Sequence, residues 1–398
     1  MSLACKGVFI IGAKRTPFCR FGGALRETTA GHAFAAAANE AIRAADLDPD
    51  LIDSTTVGHV HYLSQCDGGK TARYCGLYSG VHIKRPALGV NKTCGSGLQA
   101  VITGAVDIVT GMSKVSLTGG TEIMSALPHL VRNARFGTTL GGQYQMEDYI
   151  QSQFFDSFTE LTLERMVEDL AEKHNVTRKE ADDYTAQSYQ KWEIAEESAV
   201  FNNERVELTV KVNKEEQVVC KDDFNLIDNS VETLSRLPSV IKGASIVTTG
   251  NSSSTADGAA ALLLADEETI DRNQIKPLAR ISAWACVGVN PLDSSLGAVR
   301  SIEKILQTTA LNIKDVDLFE INETFAAQTL VCVKLLSISN EKVNVNGGAL
   351  AVGNPVGATG ARMIVHLLYE LRRRNAKRGI AASSCGGGQG VAILVESL

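Results

Sequence analysis

No apolar run in the chain is long enough to span a bilayer, so a membrane-spanning helix is excluded. There is no excess of basic residues either. The formal net charge is −6, which argues against non-specific attachment to nucleic acid. Nine cysteines (Cys5, Cys19, Cys66, Cys75, Cys94, Cys220, Cys286, Cys332 and Cys385) include no Cys-x-x-Cys pair. An odd, scattered set of this kind argues against a disulfide framework or a zinc site and fits a reducing compartment. Most of these cysteines are expected to be small apolar fillers. A secretory signal pattern is also missing. The first residues are instead poor in acid, with Lys6, Lys14, Arg15, Arg20 and Arg26 preceding Glu27. That is the flavour of a mitochondrial targeting segment, with the cytoplasm as the alternative. Yet GVFIIGAKRTPF also reads as an apolar strand and a polar loop, so a segment that targets would belong to the fold as well.

What is present is ordinary for a globular protein: 44% hydrophobic and 21% charged residues. At 398 residues the chain is long enough for two or three domains. Its 35 glycines fall largely in short clusters, which suggests specialised loops. The first third has α/β texture. Strands are predicted at Val8–Ile11, Ser54–Val60, Leu88–Asn91 and Lys114–Leu117, and helices at His32–Ala45, Thr71–Ser79 and Leu98–Gly111. From Thr121 to Thr248 the texture is more charged. It holds an amphipathic helical block with Thr177 as an N-cap, and it reads as an insertion. The α/β texture then returns, with strands predicted at Leu278–Ala283, Leu318–Glu320, Gly379–Ala382 and Val391–Val395. Ala349–Arg362 reads as a Gly-rich turn before a helix at Met363–Arg373. The order of strand, Gly turn, small-residue helix and strand recurs at both ends, which suggests two related halves packed face to face.

Four segments have the character of site loops at strand ends: NKTCGSG around Cys94, EINETFA around Asn322, GNPVGATG around Asn354 and SSCGGGQG around Cys385. Cys94 stands where a short apolar strand meets a small-residue helix. A thiol there is aimed by a tight turn, and the positive end of the helix is expected to lower its pKa.

These segments, with AKRTPF, GGTEIMSALPHLVRNARFG, TTGNSSSTADGAA and NVNGGALAVGNPVGATGAR, resemble the thiolase family in family order over essentially the whole length. The nearest look is to the mitochondrial 3-ketoacyl-CoA type. The resemblance implies a thiolase fold: two similar α/β halves in a five-layer α-β-α-β-α arrangement with an inserted loop domain. The N-terminal half would be residues 1–120 plus 249–275, the inserted domain 121–248 and the C-terminal half 276–398. It implies acyl transfer in lipid degradation, as in β-oxidation, by a homodimer or homotetramer. Acyl-CoA or 3-ketoacyl-CoA would be the substrate and coenzyme A the co-substrate, with no permanent cofactor and no metal. Cys94 would be the nucleophile and Asn322 the holder of a water in one oxyanion hole. The backbone N–H groups of Cys94 and Gly386 would form the second.

The chain departs from the family at two catalytic positions. Gly353-Asn354-Pro355 stands where the family has Gly-His-Pro, and none of the seven histidines lies in that loop. Counting back from the glycines, Ser384 falls at the position of the acid/base cysteine and Cys385 one place late. Asparagine does not titrate near neutral pH, and an alcohol is a far weaker acid than a thiol. Asn354 is open to two readings, an oxyanion-hole donor or a left-handed turn residue. Cys385 reads as a core filler unless its side chain turns inward as a substitute. The substrate wall also drifts. Thr162-Leu163 replaces His-Met, Ser253 matches the serine of the family's Asn-Ala-Ser-Gly loop while Ser254 replaces its glycine, and Phe325 follows the Asn322 loop. Arg132 and Arg135 are candidates for meeting CoA phosphates. The functions left open are a 3-ketoacyl-CoA thiolase with impaired or atypical chemistry, a CoA-thioester hydrolase, and a non-catalytic acyl-CoA-binding protein.

Overall fold

The computed structural model describes residues 7–223 and 229–398, so Cys5 and Lys6 lie outside it. Nine strands lie along one mixed sheet: β1 (Phe9–Arg15), β2 (Ser54–Gly58), β3 (Ala87–Val90), β4 (Val115–Ile123), β5 (Ala256–Ala265), β6 (Ala279–Gly288), β7 (Leu318–Ile321), β8 (Arg378–Cys385) and β9 (Gln389–Ser397). Their order is β7-β8-β9-β6-β1-β5-β4-β2-β3, and the short strand Cys19–Arg20 adds a tenth beside β5. β1 pairs along β5 from Phe9 opposite Ala265 to Arg15 opposite Ala260, and touches β6 only through Phe9 and Ile10. The two halves are therefore joined edge to edge at a two-residue seam as well as layered.

Three buried clusters show the layering. Helix α1 (Ala30–Ala44) covers the outer face of the first half, with Phe34, Leu117 and Leu263 in its core. Helices α2 (Ser96–Val109), which follows Cys94, and α7 (Val356–Arg373) pack together between the halves, among Leu98, Leu262, Ile364 and Ile393. Helices α5 (Gly297–Thr309) and α6 (Ala326–Leu336) cover the far face, over Ile302, Ile380 and Leu394. Strand alternation explains this. Leu262 and Leu264 face the middle layer and Leu263 the outer one, so β5 reads as the unbroken run AAALLLA.

The middle helices approach closely. A Cβ on Gly97 would lie 2.5 Å from the Ala361 nitrogen, and one on Gly360 would lie 2.6 Å from that of Leu98. The glycines after Pro355 therefore serve helix contact, and α7 begins at Val356. The expected Gly-rich turn is confined to Gly353–Pro355, after a one-turn helix at Ala349–Val352.

The insertion carries α3 (Leu163–Lys173) and α4 (Arg178–Glu197), the latter started by a capping box between Thr177 and Glu180. It is pinned to the core by Arg15, which is 1% exposed and reaches Glu204 and Asp222, each at 2.6 Å. The other Glu204 oxygen lies 2.8 Å from His366 Nδ1 on α7. Burial pushes the Asp222 carboxyl up, but Arg15 outweighs it and holds the pKa at about 2. Removing one partner of such a buried network strands the others, so Arg15→Met should cost about 3–5 kcal/mol in urea unfolding at neutral pH. Asp222 stabilises the fold above its unfolded pKa of ~3.9, and this is lost as pH falls through its folded value. The deficit of the variant should therefore shrink below about pH 4.

Candidate active site

The Cys94 loop is held by its own backbone and by one serine. Gly95 N–H donates to the Lys92 carbonyl, and Ser96 N–H to that of Thr93, both at 3.0 Å. Ser96 Oγ accepts from Lys92 N–H at 2.8 Å and donates to the Thr93 carbonyl at 2.7 Å. Thr93 takes a left-handed φ of 45°, which makes the turn tight enough to set Cys94 just ahead of α2. Burial pushes the Cys94 thiol above its ordinary pKa, while hydrogen bonds from Thr324 and its own backbone N–H pull it down. The helix end was expected to lower this pKa; loss of solvent at the sulfur is the larger effect.

A small cavity adjoins the sulfur. It is lined by Cys94, Leu163, Ser294, Ser295, Thr324, Phe325, Gln328, Ser384, Cys385 and Gly386. Leu163 opens α3 and Phe325 precedes α6, so insertion and C-terminal half each supply an apolar wall. Gly386 begins the turn after β8. A Cβ there would meet only Thr93, at 3.7 Å, which puts its backbone beside the nucleophile loop.

Strand parity separates Ser384 from Cys385. Ser383 and Cys385 share the face toward Cys94: Ser383 Oγ donates to the Cys94 carbonyl at 3.2 Å. A Cβ on Gly95 would lie 2.5 Å from Cys385 Sγ. Burial, and then the neighbouring Cys94, push the Cys385 thiol far above its ordinary pKa. Ser384 faces α5. Its hydroxyl accepts from Ala298 N–H at 2.9 Å and donates to the Ser295 carbonyl at 2.7 Å, so it caps that helix.

Asn322 is fully buried at the end of β7. Its Nδ2 donates to Thr324 Oγ1 at 3.2 Å, and its Oδ1 has no partner in the protein. Asn354 and Ser253 are not among the cavity's lining residues. They bond each other, Nδ2 to Oγ at 3.2 Å, and Asn354 Oδ1 accepts from Thr359 Oγ1 at 2.8 Å. The left-handed residue of that loop is Gly353, with φ of 86°, and not Asn354. Arg132 lies apart, paired with Glu147 at 2.7 Å.

Four polar residues of this region escape sequence reasoning: Thr324, Ser294, Ser295 and Gln328. The available signal is that Thr324 is the only hydroxyl in EINETFA, two places after Asn322. Among the described residues, no group of His, Cys, Asp and Glu is placed to hold a metal ion, and no helix is long and apolar enough to cross a membrane.

Models of the thiolase N-terminal domain and C-terminal domain match residues 8–268 and 275–397. The chain belongs to the thiolase family. It is 40% identical over 392 residues to the mitochondrial 3-ketoacyl-CoA thiolase of Homo sapiens, covering 98% of each chain. It is 36% identical over 390 residues to a probable acetyl-CoA acyltransferase of Staphylococcus aureus, again covering 98% of each. The crystal structure of human mitochondrial 3-ketoacyl-CoA thiolase in complex with CoA superposes with a TM-score of 0.95 at 38% identity, covering 99% of each chain. This thiolase fold thus brings Cys94, Ser384, Cys385, Gly386, Leu163 and Phe325 to one cavity, with Asn322 joined to it through Thr324.

Thr324→Val removes the hydroxyl that helps hold down the Cys94 pKa. The pH midpoint of Cys94 alkylation by iodoacetamide, read by peptide mass, should move upward. Alkylation at neutral pH should slow by up to about tenfold.

Proposed function

We propose that this protein is a thiolase-type acyl-CoA acyltransferase that cleaves 3-ketoacyl-CoA through a Cys94 acyl-enzyme, with coenzyme A as co-substrate. The observation that carries the reading is the convergence of Cys94, Cys385 and Gly386 on one cavity walled by Leu163 and Phe325. The Cys94 sulfur attacks the 3-keto carbon and the C2–C3 bond breaks. The electron pair leaves with the acetyl-CoA fragment, which takes up on net the proton that the Cys94 thiol gives up. The thiol of CoA then displaces the acyl group from Cys94 and returns a proton to that sulfur. The backbone N–H groups of Cys94 and Gly386 are the proposed oxyanion donors, and Asn322 holds water for the other oxyanion. The mitochondrial relatives support a mitochondrial setting, and the proposal includes a degradative role and a homo-oligomeric assembly.

One proton transfer serves both directions of this reaction. Cleavage needs a proton donor for the departing carbanion, and burial keeps Cys385 protonated. Synthesis runs the same step backward and needs the thiolate, so the burial that makes this thiol a weak acid slows both directions together. Ser384 is committed to Ser295 and Ala298, and Asn354 has no proton to exchange near neutral pH. Lack of a general base costs ~10²–10⁴ in rate.

Incubation with a 3-ketoacyl-CoA and CoA should give acetyl-CoA, a shortened acyl-CoA and a mass gain on Cys94, all abolished by Cys94→Ser. Thiolysis and acetyl-CoA condensation should both be slowed by the lack of a general base, each by about a hundredfold or more. Asn354→His with Ser384→Cys should raise thiolysis. A double variant that left both thiolysis and condensation unchanged would overturn this proton-transfer account. Release of the acyl group as free acid would make the protein a thioester hydrolase, and the absence of any adduct would leave a binding protein.

A further inference from the structure

The wall of the cavity beside Cys94 is more polar than an alkyl chain requires. Besides Leu163 and Phe325 it presents Ser294, Ser295, Thr324, Gln328 and Ser384. Ser294 and Gln328 are each 2% exposed, and Ser294 Oγ and Gln328 Nε2 have no hydrogen-bond partner in the protein. The Gln328 amide lies near the Cys332 thiol, a weak acceptor that does not satisfy it. Buried polar atoms of this kind are normally paired, and one left against hydrocarbon costs its full desolvation penalty. The cavity measures about 20 Å³, room for a single oxygen-sized group. No Lys, Arg or His lines it, so a carboxylate would enter without a counter-charge.

We infer that this cavity is a polar acyl subsite, in which Ser294 and Gln328 receive a neutral oxygen on a short acyl group. The preferred thioesters would then carry a hydroxyl or keto oxygen beyond the carbon that Cys94 attacks, and plain alkyl chains would be disfavoured. This inference rests on Cys94 being the acylated nucleophile. The step that reports on it is simple transthioesterification. The bond from Cys94 sulfur to the acyl carbon forms, the bond from CoA sulfur breaks, and the Cys94 proton passes to the departing CoA thiolate.

The test compares butyryl-CoA, 3-hydroxybutyryl-CoA, 4-hydroxybutyryl-CoA and succinyl-CoA as acyl donors to the full-length protein. Formation of the Cys94 adduct is followed by intact mass. At least one hydroxyacyl donor should react about tenfold or more faster than butyryl-CoA, with succinyl-CoA the slowest. Ser294→Ala alone, and Ser294→Ala with Gln328→Leu, should bring the hydroxyacyl-to-butyryl ratio most of the way to one. The wild-type comparison needs no variant, so a variant that misfolds does not rescue the claim. Butyryl-CoA reacting as fast as both hydroxyacyl donors would overturn the subsite while leaving the Cys94 acyl-enzyme intact. No adduct from any donor would overturn both.

Discussion

The site depends on one buried carboxylate, that of Glu323, which is fully buried between Asn322 and Thr324 in the chain. It accepts from Tyr184 Oη at 2.8 Å and Ser188 Oγ at 2.9 Å on the insertion helix α4, and from Asn344 Nδ2 at 2.7 Å and Leu350 N–H at 3.1 Å in the C-terminal half. A charge removed from water is tolerable only when so fully bonded, and that requirement fixes all four partners at once. Gly348 shows how tight the fit is: a Cβ there would stand 2.3 Å from the Glu323 carboxyl carbon. The backbone that presents Asn322 and Thr324 to Cys94 is therefore set by the insertion and by the segment leading into the Asn354 loop. The inserted helices act as structural supports of the site as well as one of its walls.

From that anchor a directed chain of hydrogen bonds runs to Cys94. Asn322 Nδ2 donates to Thr324 Oγ1, so the Thr324 hydroxyl proton is free to point at the Cys94 sulfur. A donor so placed favours thiolate without accepting a proton. It therefore differs in kind from the histidine expected in the Asn354 loop, which would take the proton away. Asn354 is instead spent tying its loop to Ser253 and to the first turn of α7. Asn354 thus serves its own loop, and Thr324 is the hydroxyl that reaches the Cys94 sulfur.

Much of this was legible in the sequence, and what was not has physical causes. Cys94 was legible because local rules place it: a strand end, a tight turn and a helix start. The fold was legible because full-length motifs in order are specific. The run AAALLLA carries no period, so only the packed layers show that Leu262 and Leu263 face different cores. The start of α7 at Val356 was hidden because glycine favours turns locally, and its use there is contact with Gly97 across the middle layer. Thr324, Ser294 and Gln328 were invisible as a group because they meet only in space, drawn from the segment before α5, the loop before α6 and α6 itself. The raised Cys94 pKa was missed because a helix end is readable in sequence and the neighbours that exclude water are not.

Ser384 and Cys385 show how a one-residue offset divides labour. Counting from the glycines puts Ser384 at the acid/base position, and period-two alternation then sends its hydroxyl toward α5 and the Cys385 sulfur toward Gly95. Moving the thiol one place along the strand thus moves it to the opposite face, nearer the nucleophile's turn and deeper from water. Depth raises its pKa, so this thiol stays protonated. The same offset frees the helix-facing position for a hydroxyl, which can satisfy both the Ala298 N–H and the Ser295 carbonyl where a thiol would do so weakly. Ser384 thus holds in place the short segment that carries Ser294 into the cavity.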